Sequence, residues 1–324
     1  MFFSEKALQQ ASPWQVARYT ARRFSRFDWV ADLGCGLGAD SLALAEAGPQ
    51  VLAMDRDRLA AELTQANARA LDLTPHIHVI QTDLTSPSWR SPAAWADPGR
   101  RDGDRRIFRP EALQPPLSAL LRLQATRTPH MGIKLMPGLR HSDMPPGAEA
   151  EWISLNGKLK EAVLWLGDLV QRPARRATLL PAGLSLWAQG GRGAVRQPGS
   201  LLYEPDPAVI RAGAVGDLAQ MLGLWQIDAS IAYLSGNDWR RTPFARGWRI
   251  IEHFPFDLKG LNRRLRSLQA RVVAVKKRGS PIEPESFRKR LYRHPGGRPL
   301  VVVLTRVINK PWMLICDSNI EELS

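Results

Sequence analysis

Cysteine is nearly absent: Cys35 and Cys316 are the only two in 324 residues. That is too few for a disulfide framework, and it predicts a chain at home in a reducing compartment. No apolar run reaches the roughly 18 residues a membrane-spanning helix needs. Met1-Phe2-Phe3-Ser4-Glu5-Lys6 leads into polar sequence, so neither a span nor a secretory leader is expected, and a cytoplasmic location is. Cys and His form no cluster at metal-ligand spacing; His76 and His78 alternate and the other histidines are scattered, so no metal is expected and no general base is assigned. Internal repeats and low-complexity tracts are missing. Acidic residues are in short supply, 31 Asp and Glu against 45 Lys and Arg, and the net charge of +14 favours an anionic partner.

What is present is concentrated in Trp29-Val-Ala-Asp32-Leu-Gly34-Cys35-Gly36-Leu-Gly38, an apolar strand ending in an acid directly before three close glycines. Glycines let the backbone turn sharply from strand to helix and approach a ligand with no Cβ in the way. A helix is expected over 40–47. Further strands end in acids at Asp55, Asp83 and Asp97. Open α/β sheets bind ligands beyond the carboxyl ends of their strands, so these four carboxylates are expected to line one crevice. The plainer alternative is that each merely forms a strand-end turn.

Two cofactors compete for such a crevice. The dinucleotide fingerprint is G-x-G-x-x-G, whereas this loop is G-x-G-x-G with Asp32 two residues upstream, where a carboxylate would repel a pyrophosphate. It suits instead the cationic amino acid end of S-adenosylmethionine. Asp55 would then accept from both ribose hydroxyls and Asp83 would lie near the adenine amine, with Cys35, Arg56 and Leu84 flanking them.

At these residues the chain resembles the class I S-adenosylmethionine-dependent methyltransferases. Further along, Trp95-Ala-Asp-Pro-Gly-Arg-Arg101, Ile133-Lys-Leu-Met-Pro-Gly138, Ala150-Glu-Trp-Ile-Ser-Leu155 and Leu202-Tyr-Glu-Pro-Asp-Pro-Ala-Val-Ile-Arg211 are similar to a bacterial group of these enzymes with a carboxyl-terminal THUMP-like domain. The resemblance implies an α/β fold: a Rossmann-like domain whose seven-stranded, mostly parallel sheet carries helices on both faces, plus a smaller α+β domain. It also implies a methyl transfer that needs no metal, and RNA as acceptor by analogy with RNA-modifying enzymes.

The punctuation of the chain predicts a methyltransferase domain over 1–190 with a helical segment over 1–27, a linker over 191–200, and a basic domain over 201–324. Strands are expected at 130–135, 151–155 and 177–180, with a helix over 160–169. In the second domain the expected elements are a helix over 208–222, strands over 248–251, 271–276 and 300–307, and a helix over 288–291. Residues 191–324 hold 22 Lys or Arg against 12 Asp or Glu, leaving only +4 of the +14 to the rest of the chain. Arg263 and Arg264 between leucines, and the block Lys276-Lys277-Arg278, are the candidates for following a phosphate backbone. Because Leu261, Leu265 and Leu268 have helical spacing, the arginines among them equally fit the solvated face of an amphipathic helix.

For the acceptor side, Asp97-Pro98 stands where the resembled amine methyltransferases carry an acid or amide, two prolines and an aromatic ring. Gly99 and Arg100 follow here instead, which keeps a polar acceptor and loses the ring. Arg100 and Arg101 either hold a phosphate near the methyl donor or pair with Asp102 and Asp104. Lys134 is the lysine placed near the crevice mouth, or else a strand-end charge. Two other classes stay open: a methyltransferase acting on a small molecule or protein, and a module that binds the cofactor without turnover.

Overall fold

The computed structural model describes residues 13–84, 89–100 and 110–318. The chain divides into two units, Met1–Ser185 and Leu186–Ser324.

In the first, strands β1 (Trp29–Leu33), β2 (Gln50–Asp55), β3 (Ile77–Gln81), β4 (Ala93–Ala96) and β5 (His130–Leu135) alternate with helices α2 (Ala39–Glu46), α3 (Arg58–Ala70) and α4 (Leu117–Thr126), after an opening helix α1 (Trp14–Ala21). Strands β6 (Glu149–Leu155), β7 (Lys158–Leu166), β8 (Arg175–Leu180) and β9 (Leu184–Ala188) follow. The sheet order is β9-β8-β6-β7-β5-β4-β1-β2-β3. β1, β2, β3, β4 and β5 pair in parallel, and β7 runs antiparallel to both β5 and β6. Nearly continuous apolar strands such as β4, buried along its length, are what a sheet covered on both faces requires.

The sheet thus has nine strands where seven were expected. The helix expected over 160–169 is strand β7, followed by a single 3-10 turn at Gly167–Leu169. The reason is local: Asn156 and Gly157 both have positive φ (52° and 72°), the conformation of a two-residue hairpin turn, so β7 folds straight back on β6. Its apolar run is then buried on both faces, which hides the period that separates strand from helix.

α1 packs through Val16, Ala17 and Ala21 into a core that includes Trp95 and Trp165, whose rings lie 5.9 Å apart. A Cβ on Gly132 of β5 would come within 2.8 Å of both indoles, so glycine is what lets them meet. The helical segment expected over 1–27 is described from residue 13, and its earlier part lies outside the described residues.

The second unit contains β10 (Leu201–Pro205), α5 (Pro207–Ala212), α6 (Val215–Leu222), β11 (Trp225–Gln226), β12 (Leu234–Gly236), β13 (Ala245–Pro255), α7 (Leu258–Ser267), β14 (Ala270–Lys277), α8 (Pro284–Arg288), β15 (Arg298–Val307) and β16 (Lys310–Asp317). Its sheet runs β11-β12-β10-β13-β16-β15-β14. Val302, Leu304, Met313 and Ile315 face α7 and α8, while Val301, Val303, Leu314 and Cys316 belong to a second cluster with Tyr233 and Trp248. The single helix expected over 208–222 is two, broken at Gly213, whose φ of 74° ends α5. Residues 191–200 are anchored rather than loose: the Asp217 carboxylate accepts from the Gly191 N–H at 2.9 Å, and Val195 bridges to Gln226.

Candidate active site

The sharp turn after β1 is built by three left-handed glycines, Gly34 (φ 88°), Gly36 (φ 55°) and Gly38 (φ 81°). The Gly34 and Cys35 amides both donate to the Met54 carbonyl, at 2.8 and 3.0 Å, which ties the loop to the end of β2. Two side chains of α3 hold the loop from outside: Thr64 donates to the Gly36 carbonyl and Asn67 to the Leu37 carbonyl, each at 3.0 Å. A Cβ on Gly38 would lie 2.9 Å from Thr64, so loop and helix interlock only with glycine there. Nothing in the one-dimensional pattern marked Thr64 or Asn67; their spacing of three on an amphipathic helix is the only trace they leave.

Asp55 sits at the end of β2 with one amide on each carboxylate oxygen, Gly36 N–H on Oδ2 (3.0 Å) and Asp57 N–H on Oδ1 (2.9 Å). Each oxygen keeps a second lone pair, enough for a pair of hydroxyls. Asp32 is fully buried; Ser41 donates to its Oδ2, and its Oδ1 has no hydrogen-bond partner among the described residues. Burial, and then the neighbouring Asp40 carboxylate, push its acid well above the usual range. The Asp40 Oδ1 is likewise buried and unpartnered among the described residues. Orphaned carboxylate oxygens are costly unless a donor reaches them.

Register places Ala96 of β4 beside Leu33 of β1 and Ile133 of β5, so Asp97 and Lys134 come together at the strand ends. The Lys134 ammonium donates to Asp97 Oδ2 at 2.6 Å and lies 3.9 Å from Asp40 Oδ2. Burial disfavours its charge, but Asp97 and Asp40 outweigh burial and hold it protonated well beyond the lysine range. Asp97 is pushed up by burial, against the pull of Lys134. Glu161 of β7, buried, is raised to about 8 by desolvation. Strand β7 read as a helix gave no reason to bring Glu161 here, and Asp40, on α2, was not singled out either.

The strand-end carboxylates do not all converge alike. Asp32, Asp55 and Asp97 share one neighbourhood, with Asp40 added, whereas Asp83, two residues beyond β3, is exposed. Leu84 is half-buried and Pro98 buried. Arg56 is exposed and donates to the Gln114 side chain at 3.2 Å. Gly99 and Arg100 form a short ladder with Leu113 and Gln114. The side chain of Arg100, and Arg101 entirely, lie outside the described residues.

The basic block of the second unit is not free. Lys276 and Arg278 both pair with Glu204, at 2.5 and 3.5 Å, and lie over the rings of Trp248 and Tyr233, while Lys277 pairs with Glu283 at 2.9 Å. Arg264 pairs with Glu252 at 2.8 Å and covers Phe254. Of the five cations singled out from the sequence of this unit, Arg263 alone is exposed without an ion-pair partner among the described residues. Alternation along β14, carried one residue past its end, puts Lys276 and Arg278 on the face that carries Trp248 and Tyr233.

Among the described residues no helix is long and apolar enough to cross a membrane, and no group of three His, Cys, Asp or Glu is arranged to hold a metal ion.

Residues 2–91 match the family described as the methyltransferase small domain, and residues 245–318 match the family described as THUMP domain-like. An uncharacterized S-adenosylmethionine-dependent methyltransferase of Mycobacterium tuberculosis is 34% identical over 310 residues, covering 94% of this chain and 84% of that protein. A crystal structure of a methyltransferase from Porphyromonas gingivalis superimposes with a TM-score of 0.82 over 98% of this chain and 83% of that one, at 19% identity. A human release factor glutamine methyltransferase is 43% identical over 63 residues, 18% of this chain and 19% of that protein.

Proposed function

Because the chain belongs to the S-adenosylmethionine-dependent methyltransferases and takes S-adenosylmethionine as its cofactor, we propose that its acceptor is RNA, a tRNA or ribosomal RNA, held by the basic second unit. The observation that carries this reading is a coincidence of position. The THUMP-like match over 245–318 spans the stretch Lys259–Arg293, whose sequence holds twelve basic residues and two acids, Glu283 and Glu285. The step from that likeness to RNA is an analogy of fold, strengthened by charge.

The cofactor supplies a methyl group carried on a sulfonium; the residues of this chain position it and the acceptor. The left-handed glycines Gly34, Gly36 and Gly38, with Cys35 between them, form the floor. The unpartnered oxygens of Asp32 and Asp40 take the cationic amino acid end, which relieves two buried orphans. Asp55, already oriented by two amides, accepts the ribose hydroxyls. Arg56, Asp83 and Leu84 border the adenine.

On the acceptor side, Lys134 holds Asp97 through Oδ2, and in this reading Oδ1 accepts from an incoming donor, beside Pro98. Lys134, held protonated by two carboxylates, is no base. Holding the acceptor in line with the methyl group supplies most of what such a displacement needs.

The test is transfer of labelled methyl from S-adenosylmethionine to total RNA from a strain lacking the gene, with wild-type RNA and an Asp97→Ala protein as controls. Label that enters only the deletion-strain RNA, and fails with Asp97→Ala, is the expected result. Label in protein or metabolite fractions with none in RNA overturns the reading.

A further inference from the structure

Helix α7 puts its leucines and its free cations on opposite sides. Leu261 and Leu265 are fully buried under the sheet, with Leu258 and Leu268 packed beside them. Lys259, Arg263 and Arg266, spaced by four and three residues, form one exposed stripe on the other side. It extends over about 10 Å. The ion pairs described in this unit involve Arg240, Arg264, Lys276, Lys277, Arg278 and Arg298, and among the described residues none engages the stripe.

The stripe borders a second group of cations. Asn262 donates to the Arg290 carbonyl at 3.1 Å and accepts from the Tyr292 amide at 2.6 Å, so the flank of α7 next to the stripe is fastened to the turn that follows α8. That turn carries exposed Lys289, Arg290 and Arg293, and Arg288 at the end of α8, also exposed, donates to the Val272 carbonyl at 3.3 Å. One ring lies among these charges, the half-buried Tyr292, which Arg266 covers with its guanidinium 5.4 Å from the ring centre; a second, Phe256, stands just before α7, 40% exposed, with its ring 6.1 Å from that of Phe287. Nearby acids are few: Glu252, already paired with Arg264, Asp257 at the start of α7, and Glu283 and Glu285 at the start of α8, of which Glu283 is paired with Lys277.

We propose that this α7–α8 face, with the Lys259-Arg263-Arg266 stripe at its centre, is the surface on which the protein grips a single-stranded stretch of RNA, its phosphates on the stripe and bases on Phe256 and Tyr292. The inference rests on RNA being the acceptor. It moves the contact away from Lys276, Lys277 and Arg278, each of which is already ion-paired, the first and last with Glu204 and Lys277 with Glu283. Cations in line with interspersed rings are the pattern of single-strand recognition, in which the backbone tracks the charge and bases stack. A lipid surface would call for a broader apolar margin than the one exposed ring at Phe256.

The experiment measures binding of a fluorescein-labelled 20-nucleotide single-stranded RNA to the full chain across a salt series. Three proteins are compared: wild type, the triple variant Lys259→Gln, Arg263→Gln, Arg266→Gln, and a charge-matched control Arg192→Gln, Arg196→Gln, Arg241→Gln. All six positions are exposed, so folding is expected to survive, and circular dichroism with a thermal unfolding midpoint for each variant checks that it does. The stripe variant is expected to bind at least tenfold more weakly, with a salt slope shallower by about 2, the share of three phosphate contacts. The control is expected to stay within about threefold of wild type, since its charges lie off this face. Wild-type RNA affinity that the stripe variant retains overturns this surface and leaves the RNA reading standing. Wild-type protein without salt-dependent RNA affinity overturns both. Binding to phosphatidylserine vesicles that the stripe variant loses, with no RNA binding, assigns the face to a membrane and overturns the proposal.

Discussion

Asp55 orders the Gly36 and Asp57 amides with its two carboxylate oxygens, and in the proposed site their remaining lone pairs accept the ribose hydroxyls. Asp55→Asn keeps the shape but replaces one acceptor by a donor that must face a backbone N–H. The expected outcome is S-adenosylmethionine affinity lower by roughly 10- to 100-fold, the weight of one or two hydrogen bonds to a charged group. Calorimetric titration reads this, with circular dichroism to show that the sheet persists; unchanged affinity would remove Asp55 from the site. At this scale the sequence was informative where chemistry is local. Three glycines spaced by two announce left-handed backbone, and all three adopt it. Glu161 was invisible because its meaning lies in Lys134, on a strand reached only through the β5–β7 pairing.

Among the elements, α1 is fastened to the sheet by a buried ionic network rather than by apolar contact alone. Glu149 and Glu151 of β6 are both fully buried, and Arg23, just after α1, reaches both of them. Arg176 of β8 adds contacts at 3.3 and 2.7 Å, the Tyr19 hydroxyl donates to Glu151 at 2.7 Å, and the Trp165 indole does so at 2.9 Å. Burial pushes Glu151 up, yet Arg176 and Arg23 overcome it and hold its carboxyl below the usual range.

Arg23→Met would leave two buried carboxylates with a single guanidinium. A loss of about 3–5 kcal/mol in urea unfolding is expected, together with faster amide exchange over 14–21. A loss below about 1 kcal/mol would mean that α1 is held by its apolar face alone. The hairpin between β6 and β7 carries the opposite lesson about legibility. Asn156-Gly157 between two apolar runs is the strongest short signal for a hairpin, and it was present in the chain to be read.

For the whole molecule, the cluster at the strand ends makes stability depend on pH. Glu161 is raised from an ordinary value near 4.5 to about 8, and Asp32 and Asp97 are shifted the same way. Between those values the folded chain holds a proton that the unfolded chain has released, so native stability falls as pH rises from about 4.5 to 8. Glu161→Gln, which cannot ionise, is expected to raise the urea midpoint at pH 8 and to leave it nearly unchanged at pH 5. Equal effects at both pH values would show that Glu161 is ionised throughout.

The sequence by itself determined the glycine turn, the strand-end acids Asp32, Asp55 and Asp97, and the excess charge of the second unit. Backbone conformation at glycine, termination of an apolar strand and net charge are all properties of a residue and its near neighbours. Tertiary structure alone decided which charges are free. Lys276 meets Glu204 across 72 residues of chain, and Lys134 meets Asp97 across 37. Such pairings are set by strand order and register, which place distant residues side by side and leave no trace in the spacing of either one.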